Sequence, residues 1–157
     1  MVRTARTLAH GVALAAALAL ISAASAQAQG MLSAQDMAEI QNLYAQYNIM
    51  LDSGDAEGWA DTFVENGRFG NSEGRAALIE FAEGFHESNP QSRHWNTNLR
   101  LTQTADGAAG TTYLMLYNVG VRPPAVIATG IYQDVLVRTA QGWRFQSRQV
   151  QIDRPAN

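Results

Sequence analysis

Apolar side chains between Ser33 and Gly54 recur at the spacing of one helix face. Ser33, followed three residues later by Asp36, is typical of a helix start, and Gly54 can end a helix in the left-handed conformation. We therefore predict a first helix that ends at Asp52 to Gly54. The residues on its apolar face are Ile40, Leu43, Tyr44, Tyr47, Met50 and Leu51.

Two more helices are predicted before residue 90. Asp55 can cap a short second helix, and we assign its apolar positions to Trp59, Phe63 and Val64. A turn at Asn66-Gly67 and a short strand at 68–70 follow. The spacing of the next apolar residues predicts a third helix from Arg75 to Phe85, with its apolar face at Leu78, Ile79, Ala82 and Phe85.

From Pro90 onward the pattern changes to β-branched and aromatic runs separated by turn residues. Four long strands are predicted at 92–103, 111–119, 126–138 and 143–152. Helices followed by strands with short connections are typical of an α+β domain. Strands this long must coil, so we predict a cone-shaped α+β barrel: about three N-terminal helices packed on a strongly curved, mainly antiparallel sheet that encloses a pocket.

The first residues do not fit this domain. Arg3 and Arg6 precede an apolar, alanine-rich run, and small residues follow at Ala24 to Ala26, which is typical of a secretory signal peptide. We expect residues 1–28 to be the leader, cleaved after Ala26 or Ala28, and residues 29–157 to form a single domain in the periplasm or outside the cell. An uncleaved leader acting as an anchor is the alternative.

Composition narrows the chemistry. The chain has 46% apolar and 16% charged residues, a net charge of −3 and no cysteine, and every basic residue is arginine. The acidic balance argues against nucleic acid and, after leader cleavage, against an anionic membrane as partners. Without cysteine or lysine, and with only His86 and His94 outside the leader, thiolate, Schiff-base and histidine-rich metal sites are not available. We expect no metal and no cofactor.

Asp52 and His94 are the first candidates for catalysis. A carboxylate in the last turn of a helix faces the negative end of the helix dipole, so another group must stabilise it there. The two-residue period of a strand places His94, Asn96 and Asn98 on one face. A carboxylate bonded to one imidazole nitrogen leaves the other as a general base. A solvent-facing turn aspartate and an ordinary strand histidine are the alternatives.

Tyr47 and Arg148 are the second pair of candidates. Tyr47 lies on the apolar face of the first helix, so its ring can fill the core while its hydroxyl reaches the pocket. Arg148 and Val150 are two residues apart on the last strand, so they share a face, and the apolar neighbour suggests that this face is buried. A buried arginine needs an acceptor from protein or ligand. Arg144 competes with Arg148, because a bulge would exchange the two faces of the strand.

These residues carry a family resemblance. The spacing Tyr47-x-x-x-x-Asp52, the segment Arg93-His94-x-x-x-Asn98 and the closing Gly142-Trp143-Arg144-Phe145 resemble the SnoaL-like branch of the nuclear transport factor 2-like superfamily. Hexachlorocyclohexane dehydrochlorinases, scytalone dehydratases and bile acid 7α-dehydratases are similar in plan. The resemblance implies an Asp52–His94 dyad that removes a proton from carbon, with Arg148 near the leaving group. Tyr47 stands where the dehydrochlorinases have lysine.

We therefore expect a cofactor-independent lyase, dehydratase or isomerase acting on a small apolar, cyclic or acyclic, organic molecule. The alternatives are a noncatalytic ligand-binding or dimerisation module and a subunit of a larger enzyme. A homodimer or homotrimer is expected. The apolar side chains at 113, 115 and 117 recur with the two-residue period of a strand, which is typical of a substrate-binding face but also of a dimer interface or a core. The residues expected to bind substrate are Trp59, Phe63, Asn98, Tyr113, Met115 and Tyr117.

Overall fold

A computed structural model of the protein describes residues 31–154, and the predicted leader lies outside the described residues. Helix α1 spans Ala34–Ser53, α2 spans Ala56–Ala60 and α3 spans Arg75–Ser88. Ser33 begins α1 as predicted, since its hydroxyl accepts the Asp36 backbone N–H at 3.1 Å. Gly54 ends α1 with a φ of 78°, a left-handed conformation that favours glycine.

Seven strands form one sheet in the order β2-β1-β7-β6-β5-β3, and β4 pairs with β5 beside β3. β1 and β7 run parallel, and all other pairs are antiparallel. The sheet curls into a half-barrel with the helices packed on it, which confirms the predicted α+β class. The strands are β1 Phe63–Phe69, β2 Ser72–Glu73, β3 Ser92–His94, β4 Thr97–Gln103, β5 Gly107–Asn118, β6 Ala125–Thr139 and β7 Gly142–Ile152.

The second helix is shorter than predicted, and Phe63 and Val64 belong to β1 instead. The Thr62 hydroxyl donates to the Trp59 carbonyl at 2.6 Å, and the Thr62 carbonyl accepts the Phe145 N–H at 3.0 Å. The chain therefore leaves the helix to pair with β7. The predicted turn at Asn66-Gly67 is an irregularity inside β1, where the register with β7 shifts between Phe63 and Arg68.

The strand predicted from 92 to 103 is broken. β3 ends at His94 and β4 begins at Thr97, although the Trp95 N–H still donates to the Met115 carbonyl at 2.8 Å. Asn98 has a φ of 58°, which asparagine tolerates better than most residues. The register with β5 is unchanged from His94 to Thr97, and Asn96 Nδ2 donates to Asn48 Oδ1 of α1 at 2.9 Å, so Asn96 shares the face of His94 as predicted. The register shifts between Thr97 and Arg100, so the prediction is wrong for Asn98 alone.

The core lies between the helices and the concave face of the sheet. Residues at even positions of β5, from Ala108 to Leu116, are buried on this face. His94 stands opposite Leu116 in the register, and Arg148 stands opposite Asp134. Among residues 31–154, no helix combines the length and the apolar character that crossing a membrane requires.

Candidate functional site

Asp52 is held in the last turn of α1 by the neighbouring strand. Its Oδ2 accepts the backbone N–H of His94 at 2.8 Å, and the residue is only 8% exposed. A hydrogen bond from a backbone N–H to a carboxylate is charge-assisted and stronger than one between neutral groups. This contact supplies the stabilisation that the unfavourable helix dipole requires.

His94 binds the same carboxylate with its ring. His94 Nδ1 lies 2.6 Å from Asp52 Oδ1, and the Phe85 ring lies 5.7 Å from the imidazole between ring centroids. An ionised Asp52 accepts from Nδ1–H, which fixes the tautomer. Within residues 31–154, no hydrogen bond occupies Nε2. The arrangement leaves a ring nitrogen with a lone pair, as a general base requires.

Arg148 lies fully buried on β7 and is paired by protein. Its Nε and Nη2 donate to Asp134 Oδ1 and Oδ2 at 2.7 and 2.8 Å, and the Tyr44 hydroxyl also donates to Asp134. Burial opposes the charge of the guanidinium, but the Asp134 carboxylate outweighs this effect and raises the pKa of Arg148. Arg148 therefore remains charged.

Aromatic rings enclose the Arg148 guanidinium. Its Cζ lies between 4.2 and 4.8 Å from four ring centroids, which belong to Tyr44, Tyr47, Tyr132 and Phe145. Cation–π contacts at this distance stabilise a desolvated charge. One donor, Arg148 Nη1, is buried without a hydrogen-bond partner among the described residues.

Tyr47 adds a second buried donor next to this cage. Its hydroxyl lies within reach of Arg148 and Tyr132, which lower its pKa, but burial has the larger effect. Burial raises the pKa of Tyr47 to about 12, so the phenol stays protonated at neutral pH. Tyr47 and Asp52 are five residues apart on α1, which corresponds to about 7.5 Å along the helix axis.

Trp59 and Phe63 are buried against Tyr47. Their ring centroids lie 5.3 and 6.0 Å from the Tyr47 ring and 5.1 Å from each other. Both rings therefore pack directly against the Tyr47 ring. Trp59 Nε1 is a further buried donor without a hydrogen-bond partner in residues 31–154. The structure thus brings Trp59, Phe63, Tyr47 and Arg148 together.

Four other predicted site residues lie elsewhere. Tyr113, Met115 and Tyr117 alternate with the buried residues of β5, so they face the convex side of the sheet, away from His94. Asn98 is exposed on β4. The convex position follows from the register, because His94 pairs with Leu116 and the two side chains share the concave face.

A bulge decides between Arg148 and Arg144. Leu136 pairs with Phe145 but Val135 pairs with Ser147, so Gln146 is an extra residue in β7. Before it, Trp143 and Phe145 face the core, and after it Arg148 does. Arg144 lies half-buried on the other face, where its Nη1 donates to the Trp143 carbonyl at 2.8 Å.

Three residues around Arg148 were not among the predicted site residues: Tyr44, Tyr132 and Asp134. Their signal was present in the sequence, because Tyr132, Asp134 and Leu136 alternate on one face of a predicted strand. A buried arginine on the neighbouring strand requires such an acceptor. In the same described range, no three His, Asp or Glu side chains are grouped as metal ligands.

Comparison with known proteins gives one family match. The family described as SnoaL-like domain matches residues 33–149. No curated protein matches the chain. Two of the matching solved structures are of proteins of unknown function, and another is an NTF2-like protein with a cystatin-like fold.

Three solved structures illustrate the similarity. A protein of unknown function from Mycobacterium tuberculosis is 30% identical, with 78% of this chain and 79% of that chain covered and a TM-score of 0.72. ActVI-ORFA from Streptomyces coelicolor is 30% identical, with 78% and 98% covered and a TM-score of 0.69. A protein from Catenulispora acidiphila in complex with S-DNPA is 31% identical, with 76% and 95% covered and a TM-score of 0.69.

Proposed function

Because the chain belongs to the SnoaL-like domain family, which includes polyketide cyclases and dehydratases, we propose that it is a cofactor-independent lyase or isomerase in which His94 removes a proton from carbon. The observation that carries this proposal is the 2.6 Å contact between His94 Nδ1 and Asp52 Oδ1. Asp52 orients the imidazole and stabilises the imidazolium that forms when Nε2 takes the proton.

Tyr47 and Arg148 stabilise the charge that develops on the substrate. The C–H electron pair moves toward a carbonyl oxygen, and this oxygen accepts hydrogen bonds from the Tyr47 hydroxyl and Arg148 Nη1. In an elimination the leaving group then departs as a carbon–carbon double bond forms, whereas in an isomerisation the proton returns to another carbon. Both groups are buried, and they lie close enough together for Arg148 to lower the pKa of the Tyr47 hydroxyl against the effect of burial, so they can meet one substrate oxygen, which supports this role.

The substrate in this proposal is a small cyclic organic molecule. The similar protein from Catenulispora acidiphila was solved with S-DNPA bound, which supports binding of a small organic compound by this fold. The aromatic side chains of Tyr47, Trp59 and Phe63 supply apolar contact surface at the concave face. The periplasmic or secreted location stays a prediction.

An elimination assay tests the proposal. We expect 3-hydroxy-1-tetralone to lose water and yield 1-naphthol, followed by its fluorescence. His94→Gln should lower kcat/KM at least about 100-fold, because general base catalysis contributes a factor of about 10² to 10⁴. His86→Gln is the matched control, since it changes the other histidine of the mature chain, and should retain the wild-type rate. Equal rates for wild type and His94→Gln would refute the assignment.

A second measurement needs no substrate. The ¹⁵N chemical shifts of the His94 ring at pH 8 should show a protonated Nδ1 and an unprotonated Nε2, because the Asp52 carboxylate accepts from Nδ1. In Asp52→Asn this preference should be lost. An unchanged tautomer in Asp52→Asn would show that the carboxylate does not orient the ring.

A further inference from the structure

The imidazole of His94 is almost closed off from its surroundings. Its side chain is 2% exposed, and the Asp52 carboxylate lies 2.6 Å from Nδ1. Leu116 stands opposite His94 on the neighbouring strand β5. A general base must come within hydrogen-bond reach of the proton that it removes. A molecule can approach Nε2 this closely only after a side chain next to the imidazole has moved aside.

Phe85 lies between His94 and the outside of the molecule. Its ring centroid is 5.7 Å from that of the imidazole, which is a contact distance for two tilted rings. Phe85 is also half-buried, and it lines an open groove of about 590 Å³ along α3. His94 does not belong to the lining of this groove. Phe85 therefore contacts the imidazole on one side and the groove on the other.

The groove follows one face of α3. Ala77, Phe81, Phe85 and Ser88 recur in its lining at helical spacing. Gly84 lines it one turn from both Phe81 and Ser88, and a Cβ at this position would meet nothing within 4 Å. The groove thus has free space beside the Phe85 ring, which can receive the turned ring or an incoming molecule.

The backbone that carries Phe85 is held in place. Asn89 donates twice to the Phe85 carbonyl, from its backbone N–H at 2.9 Å and from Nδ2 at 3.1 Å. A Cβ on residue 54 would lie 2.8 Å from the His86 ring, so Gly54 allows this ring to pack against the end of α1. Rotation of a side chain is fast, whereas opening the helix end requires local unfolding. The ring of Phe85 is therefore the part that moves most readily.

We propose that Phe85 gates access to His94: its ring separates the α3 groove from the imidazole, and a substrate reaches Nε2 from that groove when the ring turns away. The inference rests on the proposed function only for the role of His94 as the base. Phe85 is then a specificity-determining residue, because the opening that its rotation leaves limits the size of the molecules that reach the base.

Acylation of His94 by diethyl pyrocarbonate tests the gate without a substrate. An unprotonated imidazole nitrogen attacks a carbonyl carbon of the reagent, ethanol and carbon dioxide leave, and mass spectrometry of peptides gives the rate at each histidine. His94 should react at least about tenfold faster in Phe85→Ala than in wild type, since a minor open state is populated to about 10% or less. Phe85→Tyr keeps the ring and should react at the wild-type rate.

Two controls separate gating from loss of structure. Ile79→Ala shortens another half-buried side chain of α3 that does not line the groove, and it should leave the His94 rate unchanged. His86 reports on the helix end, and its rate should be the same in wild type and Phe85→Ala. A parallel rise at His86 and His94 would mean that the helix end unfolds, and it would overturn the proposal. Equal His94 rates in wild type and Phe85→Ala, or a wild-type His94 that reacts as fast as in the urea-unfolded chain, would overturn it too.

The outcomes distinguish the gate from the proposed reaction. If Phe85→Ala accelerates acylation of His94 but wild type does not dehydrate 3-hydroxy-1-tetralone, the gate is correct and the reaction is not. If dehydration requires His94 but acylation is equally fast in wild type and Phe85→Ala, the reaction is correct and the gate is refuted.

Discussion

At the scale of single residues, the burial of Tyr47 makes stability depend on pH in the alkaline range. Its pKa rises from 10.0 to about 12 on folding, because burial disfavours the charged phenolate. Above pH 10 the unfolded chain releases this proton while the folded chain retains it. The contribution of this pKa shift to the free energy of unfolding is therefore complete below about pH 10 and is lost as pH rises toward about 12.

Tyr47→Phe isolates this contribution, since phenylalanine has no proton to lose. We expect the free energy of unfolding of wild type to fall about 1.4 kcal/mol more than that of the variant between pH 8 and pH 11. Urea unfolding at the two pH values measures it. Tyr44 and Tyr132, whose pKa values burial also raises, are present in both proteins and cancel in the comparison. The same pH slope in both proteins would contradict the shift.

The candidate residues could be predicted to different degrees. Asp52 required a partner because of its place in the last turn of α1, and this physical argument identified it before its partner was known. Arg148 required an acceptor, but the sequence did not say whether protein or ligand provides it. Asp134 does, and this depends on the register between β6 and β7, which alternation in a single strand does not determine.

At the scale of elements, Gly67 explains why β1 can bend into the sheet. A Cβ at this position would lie 2.7 Å from Phe63 Cβ and 2.8 Å from the Val64 carbonyl oxygen. Gly67→Ala should therefore destabilise the protein by about 1 to 3 kcal/mol through overpacking. Thermal or urea unfolding measures this change.

Gly84 provides the opposite control in α3. A Cβ there meets nothing within 4 Å, so Gly84→Ala should stabilise the protein by about 0.5 to 1 kcal/mol through helix propensity. If both glycine variants changed stability in the same direction, the close contact in β1 would not be the cause.

Element type was predictable where the hydrophobic period was long, as in α1 and β6, and failed where tertiary pairing decided it. Phe63 could extend a helix by periodicity, but pairing with Phe145 makes it a strand residue. The register shift at Asn98 in β4 and the bulge at Gln146 in β7 are local features that the hydrophobic pattern does not show. They nevertheless decide which side chains face the core.

Across the whole molecule, the middle of the convex sheet face carries no charge, and arginines stand at its margin: Arg93 opposite Tyr117, Arg100 opposite Thr111 and Arg144 opposite Val137. Trp95 packs against Tyr117 with ring centroids 4.5 Å apart and the rings tilted, and Tyr113 and Val135 are 50% and 47% exposed. The outward residues of β5 to β7 in the central register carry no charge: Thr111, Tyr113, Met115, Tyr117, Thr129, Ile131, Gln133, Val135, Ser147, Gln149 and Gln151. Depletion of charge with exposed aromatics is typical of the centre of a protein interface.

We therefore keep the prediction of a homodimer or homotrimer and assign it to this face. Light scattering of the purified chain should give at least twice the monomer mass. Tyr113→Glu should reduce it to the monomer mass, because symmetry brings the new charges close together and removes them from water in the uncharged middle of the interface. Ile49→Glu, at a residue 66% exposed on α1, introduces the same charge away from the sheet and should not change the mass. A monomeric wild type at the highest concentration measured, or equal dissociation in both variants, would mean that the convex face does not mediate self-association.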